Sequence, residues 1–426
     1  MPRQTPLPVW LILLLSSMLA APISGAAGGA ISERTYQRLA RVHDLMEAQR
    51  YDAALKILDG IPSSDAKTYE KALIQQTYGY LYAGREQYRR AAEAFAQCLA
   101  LAALPRSATQ SVRYALAQLQ LALGDDADAV TSIEQWLKAE QKPKPEAYAL
   151  AAVAFAQVGR YQEAIEYLNK AISSVDSPRE IWFQQLLAVY YATERYPAAA
   201  KLLVQLIRGF PDRKNYWLQL SGIYQTLKDD AKALAVMDLA YRKGLAFTES
   251  ELLNLIRYYL FMDLPYKAAV TLEHALRERR VSSSARNLVL LSDAWLQAKE
   301  ISRALDALAQ ALARTPAPDL RLREAQLAVQ IDDWPRVLAA TRKIQTAGQG
   351  ELRGQALLLQ GMAHFYLYQH EAALQAFETA KSFPQVRERA ATWADYAAQE
   401  MALNERMADV RSPASSGPSS TTGAEN

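Results

Sequence analysis

A short helical pattern recurs along the chain every 33 to 38 residues, and this period constrains the fold more than any other feature of the sequence. In residues 159–172, GRYQEAIEYLNKAI, a small residue is followed four positions later by a large apolar one, so that both lie on one helical face. The small position, here called the anchor, recurs at Ala54, Ala91, Ala129, Ala164, Ala199, Ala233, Ala268, Ala304, Val337 and Ala373. The position four residues later is Leu58, Phe95, Ile133, Leu168, Leu203, Met237, Leu272, Leu308, Thr341 and Phe377. We therefore expect about ten copies of one helical unit.

A second helix precedes each anchor, and its pattern resembles the Trp-x-x-Leu-Gly-x-x-Tyr half of the tetratricopeptide repeat, a helix-turn-helix unit. The best matches are Trp217, Leu220, Ser221 and Tyr224, then Tyr78, Gly79 and Tyr82, and more loosely Leu357, Gly361 and His364. The family's terminal proline is present at Pro211 and Pro316 and is missing or displaced elsewhere. The resemblance implies an all-α fold, a tetratricopeptide-repeat α-solenoid: a right-handed superhelix of about ten helix-turn-helix repeats with a C-terminal capping helix.

Small residues in both helices of the repeat should let neighbouring helices approach closely. They are the anchors and, in the preceding helices, Gly79, Ala117, Ala152, Ser221, Ser292 and Gly361. A pair of short amphipathic helices cannot cover its own apolar faces, so each repeat must bury them against its neighbours. We expect the core to run from repeat to repeat.

The N-terminus reads as an export signal. Arg3 supplies a positive charge, residues 9–21 are apolar, and small residues follow at positions 24–27. The apolar stretch is shorter than a bilayer-spanning helix requires, so we expect residues 1–27 to be a cleaved signal peptide and the protein to be periplasmic; the alternative is an uncleaved N-terminal anchor. Residues 32–384 then form the solenoid, residues 385–410 a capping helix, and the Ser-, Pro- and Gly-rich residues 411–426 a disordered tail.

Three stretches resemble a family of bacterial periplasmic tetratricopeptide proteins encoded beside the TonB, ExbB and ExbD energy-transduction components. They are residues 32–36 (SERTY), 216–224 (YWLQLSGIY) and 264–269 (LPYKAA). The resemblance implies a periplasmic scaffold for a TonB-type transport system, with a protein or peptide as its partner and no membrane span after signal cleavage. The family has no catalytic residues to carry over.

The first helix of each tetratricopeptide repeat lines the concave groove of the family. When the repeats of this chain are aligned on their anchors, the residues at the family's groove positions include Tyr80, Tyr114, Gln118, Gln184, Tyr191, Asn215, Gln225, Arg257, Arg286, Asp293 and Tyr366. Aromatic side chains with amide or guanidinium groups between them suit an extended peptide, whose backbone needs hydrogen-bond partners and whose side chains need apolar pockets. We interpret the groove as a whole as the binding surface.

The sequence offers no catalytic or metal-binding pattern, and we expect neither an enzyme nor a cofactor. The four histidines, at positions 43, 274, 364 and 370, lack metal-ligand spacing, and the single cysteine, Cys98, falls on a core position of its repeat. Lys plus Arg (48) nearly balance Asp plus Glu (45), without a basic stripe for nucleic acid. The acidic pairs at 125–126, 229–230 and 332–333 fall in turns between helices.

Three functions remain open at this stage. The favoured one is a non-catalytic adaptor that holds a peptide or protein segment of an envelope complex. The second is a scaffold in cell-wall, pilus or exopolysaccharide assembly, and it rests on analogy of fold. The third is a glycan-binding envelope protein, suggested by the 23 tyrosines. Many of these tyrosines fall on repeat positions that pack between helices, which disfavours the third reading.

Overall fold

The computed structural model describes residues 31–62, 66–347 and 350–411. The signal peptide predicted at residues 1–27 lies outside this part of the chain, and so does the predicted tail apart from Arg411. In the described ranges all regular structure is helical, with 21 helices and no strand. None of the helices found there is both long enough and apolar enough to span a bilayer.

The chain divides into two compact units, Met1–Leu227 and Lys228–Asn426. The helices of the first unit are α1 (Glu33–Glu47), α2 (Tyr51–Asp59), α3 (Thr68–Gly84), α4 (Tyr88–Ala100), α5 (Arg106–Leu123), α6 (Asp126–Ala139), α7 (Pro145–Gln157), α8 (Tyr161–Ser173), α9 (Glu180–Ala192), α10 (Tyr196–Gly209) and α11 (Lys214–Thr226).

The helices of the second unit are α12 (Asp230–Arg242), α13 (Glu249–Phe261), α14 (Pro265–Arg277), α15 (Ala285–Gln297), α16 (Ile301–Arg314), α17 (Pro318–Val329), α18 (Trp334–Ala347), α19 (Glu351–Tyr366), α20 (His370–Ala380) and α21 (Arg387–Arg411). Helices α1 to α10 form five successive pairs in the first unit, and α13 to α20 form four in the second. By the sequence repeat, α11 and α12 are the two helices of the sixth repeat, and they belong to different units. Helix α21, which covers most of the predicted capping segment, has no second helix after it in the described residues.

Every anchor residue lies in the second helix of its repeat and has 0% of its surface exposed. The residue four positions later is also buried in every repeat. Thr341 departs from the apolar pattern at this position, and its hydroxyl donates a hydrogen bond to the carbonyl of Val337 at 2.8 Å. The repeat period therefore predicted the core correctly.

Within each unit, a helix packs on the next helix of the chain or on the one after it. In the first unit, for example, α9 contacts α8, α10 and, less extensively, α7. In the second, α19 contacts α17 as well as α18 and α20. This pattern of neighbour contacts is the one expected of stacked repeats, whose stability is approximately a sum over adjacent interfaces.

Glycine allows the closest of these helix contacts. In the second repeat, a Cβ added to Gly79 would lie 2.3 Å from the ring of Phe95, and in the tenth repeat a Cβ on Gly361 would lie 2.4 Å from the ring of Phe377. Because Phe95 and Phe377 are each four residues beyond an anchor, the same large-on-small contact joins the two helices of both pairs. The expectation of close approach at these positions is confirmed.

The turn inside every pair contains a left-handed residue that the sequence pattern did not reveal. Five residues before each anchor the backbone has a positive φ, between 54° and 77°. Glycine occupies this position only at Gly124 and Gly159. The other repeats place there Gln49, Glu86, Glu194, Lys228, Asp263, Lys299, Asp332 and Tyr368. This conformation ends the first helix with the left-handed cap common at helix C-termini.

Candidate partner-binding clefts

A cleft of about 670 Å³ opens between α9 and α11, the first helices of the fifth and sixth repeats. We call it the α9–α11 cleft. Its lining residues are Glu180, Gln184, Leu187, Ala188, Tyr191, Asp212, Arg213, Lys214, Asn215, Tyr216 and Gln219. Three of the groove residues predicted from the sequence, Gln184, Tyr191 and Asn215, are therefore brought together here.

One wall of the cleft is ordered by hydrogen bonds between the two helices. The side-chain amide of Gln184 donates to the hydroxyl of Tyr216 at 2.8 Å, and that hydroxyl donates to the carboxylate of Glu180. A guanidinium nitrogen of Arg213 lies 3.8 Å from the same carboxylate. Burial raises the pKa of the Tyr216 hydroxyl, with Glu180 raising it further, so the phenol stays protonated and keeps donating to the carboxylate.

The rest of the lining mixes apolar and amide groups. Leu187 is buried, and Tyr191 is half-buried with its ring 6.4 Å from that of Tyr196 in an edge-on arrangement. The side chains of Asn215 and Gln219 have no hydrogen-bond partner among the residues that the structure describes, and Asn215 is exposed. Amide groups of this kind can both donate to and accept from a peptide backbone, while the apolar surface can receive a side chain.

A second cleft, of about 970 Å³, lies along α5 and the start of α7. We call it the α5–α7 cleft. Its lining residues are Arg106, Ser107, Gln110, Ser111, Tyr114, Trp136, Ala139, Glu140, Gln141, Lys142, Lys144, Glu146, Ala147 and Arg179. Of the predicted groove residues, only Tyr114 is found here.

An aromatic pair lies at the base of this second cleft. The rings of Tyr114 and Trp136 are 4.9 Å apart, and Trp136 is 9% exposed. The side-chain amide of Gln110, itself buried, donates to the carbonyl of Trp136 at 2.9 Å and fixes α5 to the end of α6. Burial raises the pKa of Tyr114 to about 12, which keeps its hydroxyl neutral at physiological pH.

The remaining predicted residues of the first unit do not line either cleft. Tyr80 packs its ring edge-on against Phe95, with centroids 5.0 Å apart. Gln118 is only 1% exposed, and neither of its side-chain amide atoms has a hydrogen-bond partner in the described structure. The structure thus places Gln118 in the interior, because it follows Tyr114 by one helical turn and is covered by neighbouring helices. Gln225 is exposed in the last turn of α11.

In the second unit the predicted residues are separate from one another. Arg257 is exposed and donates to Asn254 at 3.4 Å, and Arg286 is exposed in the first turn of α15. Asp293 forms an ion pair with Arg323. Tyr366 stacks on the indole of Trp334, with ring centroids 4.3 Å apart and an interplanar angle of 11°. Ring packing thus accounts for one face of Tyr366, although the side chain remains 46% exposed.

Sequence reasoning missed several residues of the α9–α11 cleft. Glu180, Tyr216 and Gln219 line it but were not among the predicted groove positions. A signal was present, because Tyr216 opens the distinctive stretch YWLQLSGIY. Its hydroxyl reaches Glu180 across 36 positions of sequence, about one repeat, so only a comparison of adjacent repeats could have paired them.

The described residues contain no cluster of three His, Cys, Asp or Glu side chains that could hold a metal ion. His364 instead forms a hydrogen bond with Gln369 at 2.6 Å, and the Cys98 thiol donates to the carbonyl of Ala72 at 3.2 Å. Asp125 and Asp229 immediately precede α6 and α12, and the Asp229 carboxylate accepts from the backbone N–H of Lys232 at 3.1 Å. These side chains thus serve the helical framework.

Part of the chain matches the model of a known repeat family. The family model of the tetratricopeptide repeat matches residues 114–178 and 188–244. The second range includes the cleft residues from Ala188 to Gln219, whereas Glu180, Gln184 and Leu187 lie between the two ranges. Comparison with curated proteins finds no match.

Solved structures with detectable similarity include the following three proteins. A tetratricopeptide repeat protein from Parabacteroides merdae is 15% identical, covers 59% of this chain and 98% of its own, and has a TM-score of 0.29. The C-terminal part of a repeat-containing protein from Cytophaga hutchinsonii is 16% identical over 66% of this chain and 96% of its own, with a TM-score of 0.36. The MamA protein is 20% identical over 42% of this chain and 98% of its own, with a TM-score of 0.33.

The family match and the helix pairs support one fold class, independently of these distant structures. The two matched segments run from within α5 to two residues past α12, and a helical repeat with the same buried anchor recurs on both sides of them. The fold is all-α, and it is consistent with a tetratricopeptide-repeat α-solenoid.

Proposed function

We propose that the protein is a non-catalytic scaffold that binds a peptide or protein segment, with the α9–α11 cleft as its main contact surface. The observation that carries the proposal is the lining of this cleft. It combines unpartnered amides at Asn215 and Gln219 with the apolar surface of Leu187 and Tyr191, among the residues described. An extended peptide needs both kinds of group, since its backbone must form hydrogen bonds while its side chains bury apolar surface.

The order of the cleft supports the same conclusion. Gln184, Tyr216 and Glu180 are bonded to each other, so the wall that they form is set before a partner arrives. Pre-organised side chains lose less conformational entropy on binding and therefore retain more of the interaction energy. A cleft of about 670 Å³ can take a few side chains of a partner rather than a whole domain.

We further propose that the scaffold acts in the periplasm beside a TonB-type transport system. The apolar residues 9–21 after Arg3 support export, and the stretches at residues 32–36, 216–224 and 264–269 support the TonB-associated family. A role in cell-wall, pilus or exopolysaccharide assembly is the alternative, and it predicts different partners for the same cleft.

Site-specific photocrosslinking in the native cell envelope tests both levels of the proposal. A photoreactive phenylalanine replaces Tyr191 in the cleft and, as the matched control, Tyr396, which is 56% exposed in the other unit. We expect position 191 to crosslink to one segment of a TonB, ExbB or ExbD protein, identified by mass spectrometry, and position 396 to give no such adduct. The corresponding synthetic segment should bind the purified protein, and binding should weaken by about tenfold in the Asn215→Ala, Gln219→Ala double variant.

The outcomes distinguish the proposal of a peptide-binding scaffold from the proposal of its TonB association. Adducts that map to a segment of a pilus or cell-wall assembly protein would remove the TonB association and keep the scaffold. Equal crosslinking from both positions, or binding unaffected by the double variant, would remove the cleft as the contact surface.

A further inference from the structure

The α5–α7 cleft carries an excess of positive charge that the proposed function does not use. Its lining includes four cationic side chains, Arg106, Lys142, Lys144 and Arg179, against two carboxylates, Glu140 and Glu146, which leaves a net charge of +2. The whole protein has a formal net charge of only +3 over 426 residues. Positive charge is thus concentrated around this cleft.

The two lysines and Arg106 provide the part of this charge that is not paired with a carboxylate. Arg179 forms an ion pair with Glu146 at 2.8 Å, and Arg106 donates to the carbonyl of Ala139 at 2.6 Å. Lys142 and Lys144 are exposed, and in residues 66–347 neither ammonium group is within ion-pair distance of a carboxylate. The Glu140 carboxylate accepts instead from the backbone N–H of Lys142 at 3.3 Å.

The interior of the cleft differs from its rim. Tyr114 and Trp136 present an aromatic floor, and the hydroxyls of Ser107 and Ser111 lie on the exposed face of α5 beside it. An apolar floor under a cationic rim favours a ligand that has both an apolar group to bury and several negative charges to place around it.

We propose that the α5–α7 cleft binds an acidic segment of a partner polypeptide, with an apolar or aromatic side chain on Tyr114 and Trp136 and carboxylates at Lys142, Lys144 and Arg106. This is a second site, and it does not depend on the α9–α11 cleft. The cations come from the start of α5, from the connection between α6 and α7, and from the residue before α9. This dispersed arrangement suits charges spread along a chain, whereas a single phosphate needs donors that converge on one point.

Fluorescence anisotropy on the purified full-length protein tests the proposal with a defined probe. The probe is a short labelled peptide in which glutamates flank one phenylalanine, and its partner probe has glutamine in place of every glutamate. The cleft variant is Lys142→Glu with Lys144→Glu. The matched control is Lys67→Glu with Lys201→Glu, which makes the same change of charge at two exposed lysines of the same unit that do not line the cleft.

We expect the glutamate probe to bind more tightly than the glutamine probe and to weaken as salt is added. The cleft variant should lose affinity by about tenfold or more, while the control variant should change by less than about threefold. A helical circular-dichroism spectrum identical to that of the unsubstituted protein establishes that each variant is folded.

Other results would overturn the proposal. Equal loss in the cleft and control variants would show that only total charge matters. Binding of phosphatidylglycerol vesicles through Lys142 and Lys144, without binding of the glutamate probe, would assign the surface to anionic lipid. Loss of glutamate-probe binding in the Asn215→Ala, Gln219→Ala variant, with no loss in the cleft variant, would assign the probe to the α9–α11 cleft, so failure of this proposal is distinguishable from failure of the proposed function.

Discussion

The side-chain amide of Gln184 donates to the hydroxyl of Tyr216 at 2.8 Å and so joins the first helices of two successive repeats. The same hydroxyl donates to Glu180, and Tyr216 is only 5% exposed. Tyr216→Phe keeps the ring but leaves Gln184 and Glu180 without this partner. We expect the free energy of unfolding to fall by about 0.5–1.5 kcal/mol, measured by urea denaturation.

The same substitution should weaken peptide binding in the α9–α11 cleft, because its wall loses its order. Tyr396→Phe is the control, since Tyr396 is 56% exposed and has no side-chain hydrogen bond in the part of the chain described. A Tyr216→Phe variant as stable as the unsubstituted protein would show that the hydroxyl contributes nothing to holding the two repeats together.

The left-handed turns predict that a substitution by glycine stabilises the protein, whereas the substitution of a native glycine by alanine destabilises it. Lys299 has a φ of 62° and Gly159 a φ of 77° at the same position of their repeats. A left-handed conformation costs a residue other than glycine about 1–2 kcal/mol. Substitution by glycine removes this cost, but the greater backbone entropy of glycine in the unfolded chain offsets part of the stabilisation. Lys299→Gly should therefore raise the free energy of unfolding by about 0.5–1 kcal/mol.

Gly159→Ala should lower stability by about 1 kcal/mol. A Cβ on Gly159 would have no atom within 4 Å, so strain in φ is the only cost. Thermal unfolding of both variants checks the pair. If the two shifts have the same sign, the turn conformation is not what determines them.

Much of the fold could be predicted from sequence because the residues that define the repeat are also residues of the core. Each anchor must fit against a neighbouring helix, so only a small or slim residue is accepted, and this restriction recurs at Ala164, Val337 and the other anchors. The left-handed residues escaped prediction because glycine, the residue that signals this conformation, is present in only two of the ten turns. In the other eight, packing of the two helices imposes the conformation on residues such as Glu194 and Tyr368.

The candidate clefts were predictable only in part, because they depend on how one repeat faces the next. The helix register put Gln184 and Asn215 on the same side of their repeats, and the structure places both in the α9–α11 cleft. The same register predicted that Gln118 lines the groove, but Gln118 is interior. The prediction failed because a periodic position does not show how closely the adjacent helix approaches. Lys142 and Lys144 lie in a connection between repeats, outside the register altogether.

Larger side chains at the small positions should lower the free energy of unfolding, and a second substitution should restore part of it. Gly361→Ala places a methyl group 2.4 Å from the ring of Phe377, and Ala164→Leu adds three carbons at a position with no exposed surface. Each should cost about 1–3 kcal/mol of unfolding free energy, measured by urea denaturation. Adding Phe377→Leu to Gly361→Ala should recover part of the loss, since it removes the ring atoms that clash. A double variant less stable than the sum of the two single changes would contradict this account.

The single cysteine reports on opening of the second repeat. Cys98 is 1% exposed and donates to the carbonyl of Ala72, and burial raises the pKa of its thiol from 9.0 to about 12. Because the raised pKa means that the folded state holds the proton more tightly, the thiol's contribution to stability is complete below about pH 9 and is lost as the pH rises toward 12. The folded protein should therefore react with a thiol reagent at about pH 8 far more slowly than the urea-unfolded protein, since the thiolate is the reacting form.

A matched control separates burial from intrinsic thiol chemistry. The Ser177→Cys substitution in a Cys98→Ser background places the thiol at an exposed position just before α9, and it should react at nearly the same rate in the folded and unfolded states. The labelling rate of native Cys98 should rise with urea well below the midpoint of global unfolding if repeats open one at a time, as neighbour-only contacts allow. Rapid labelling of native Cys98 without urea would mean that α3 and α4 do not enclose it in solution.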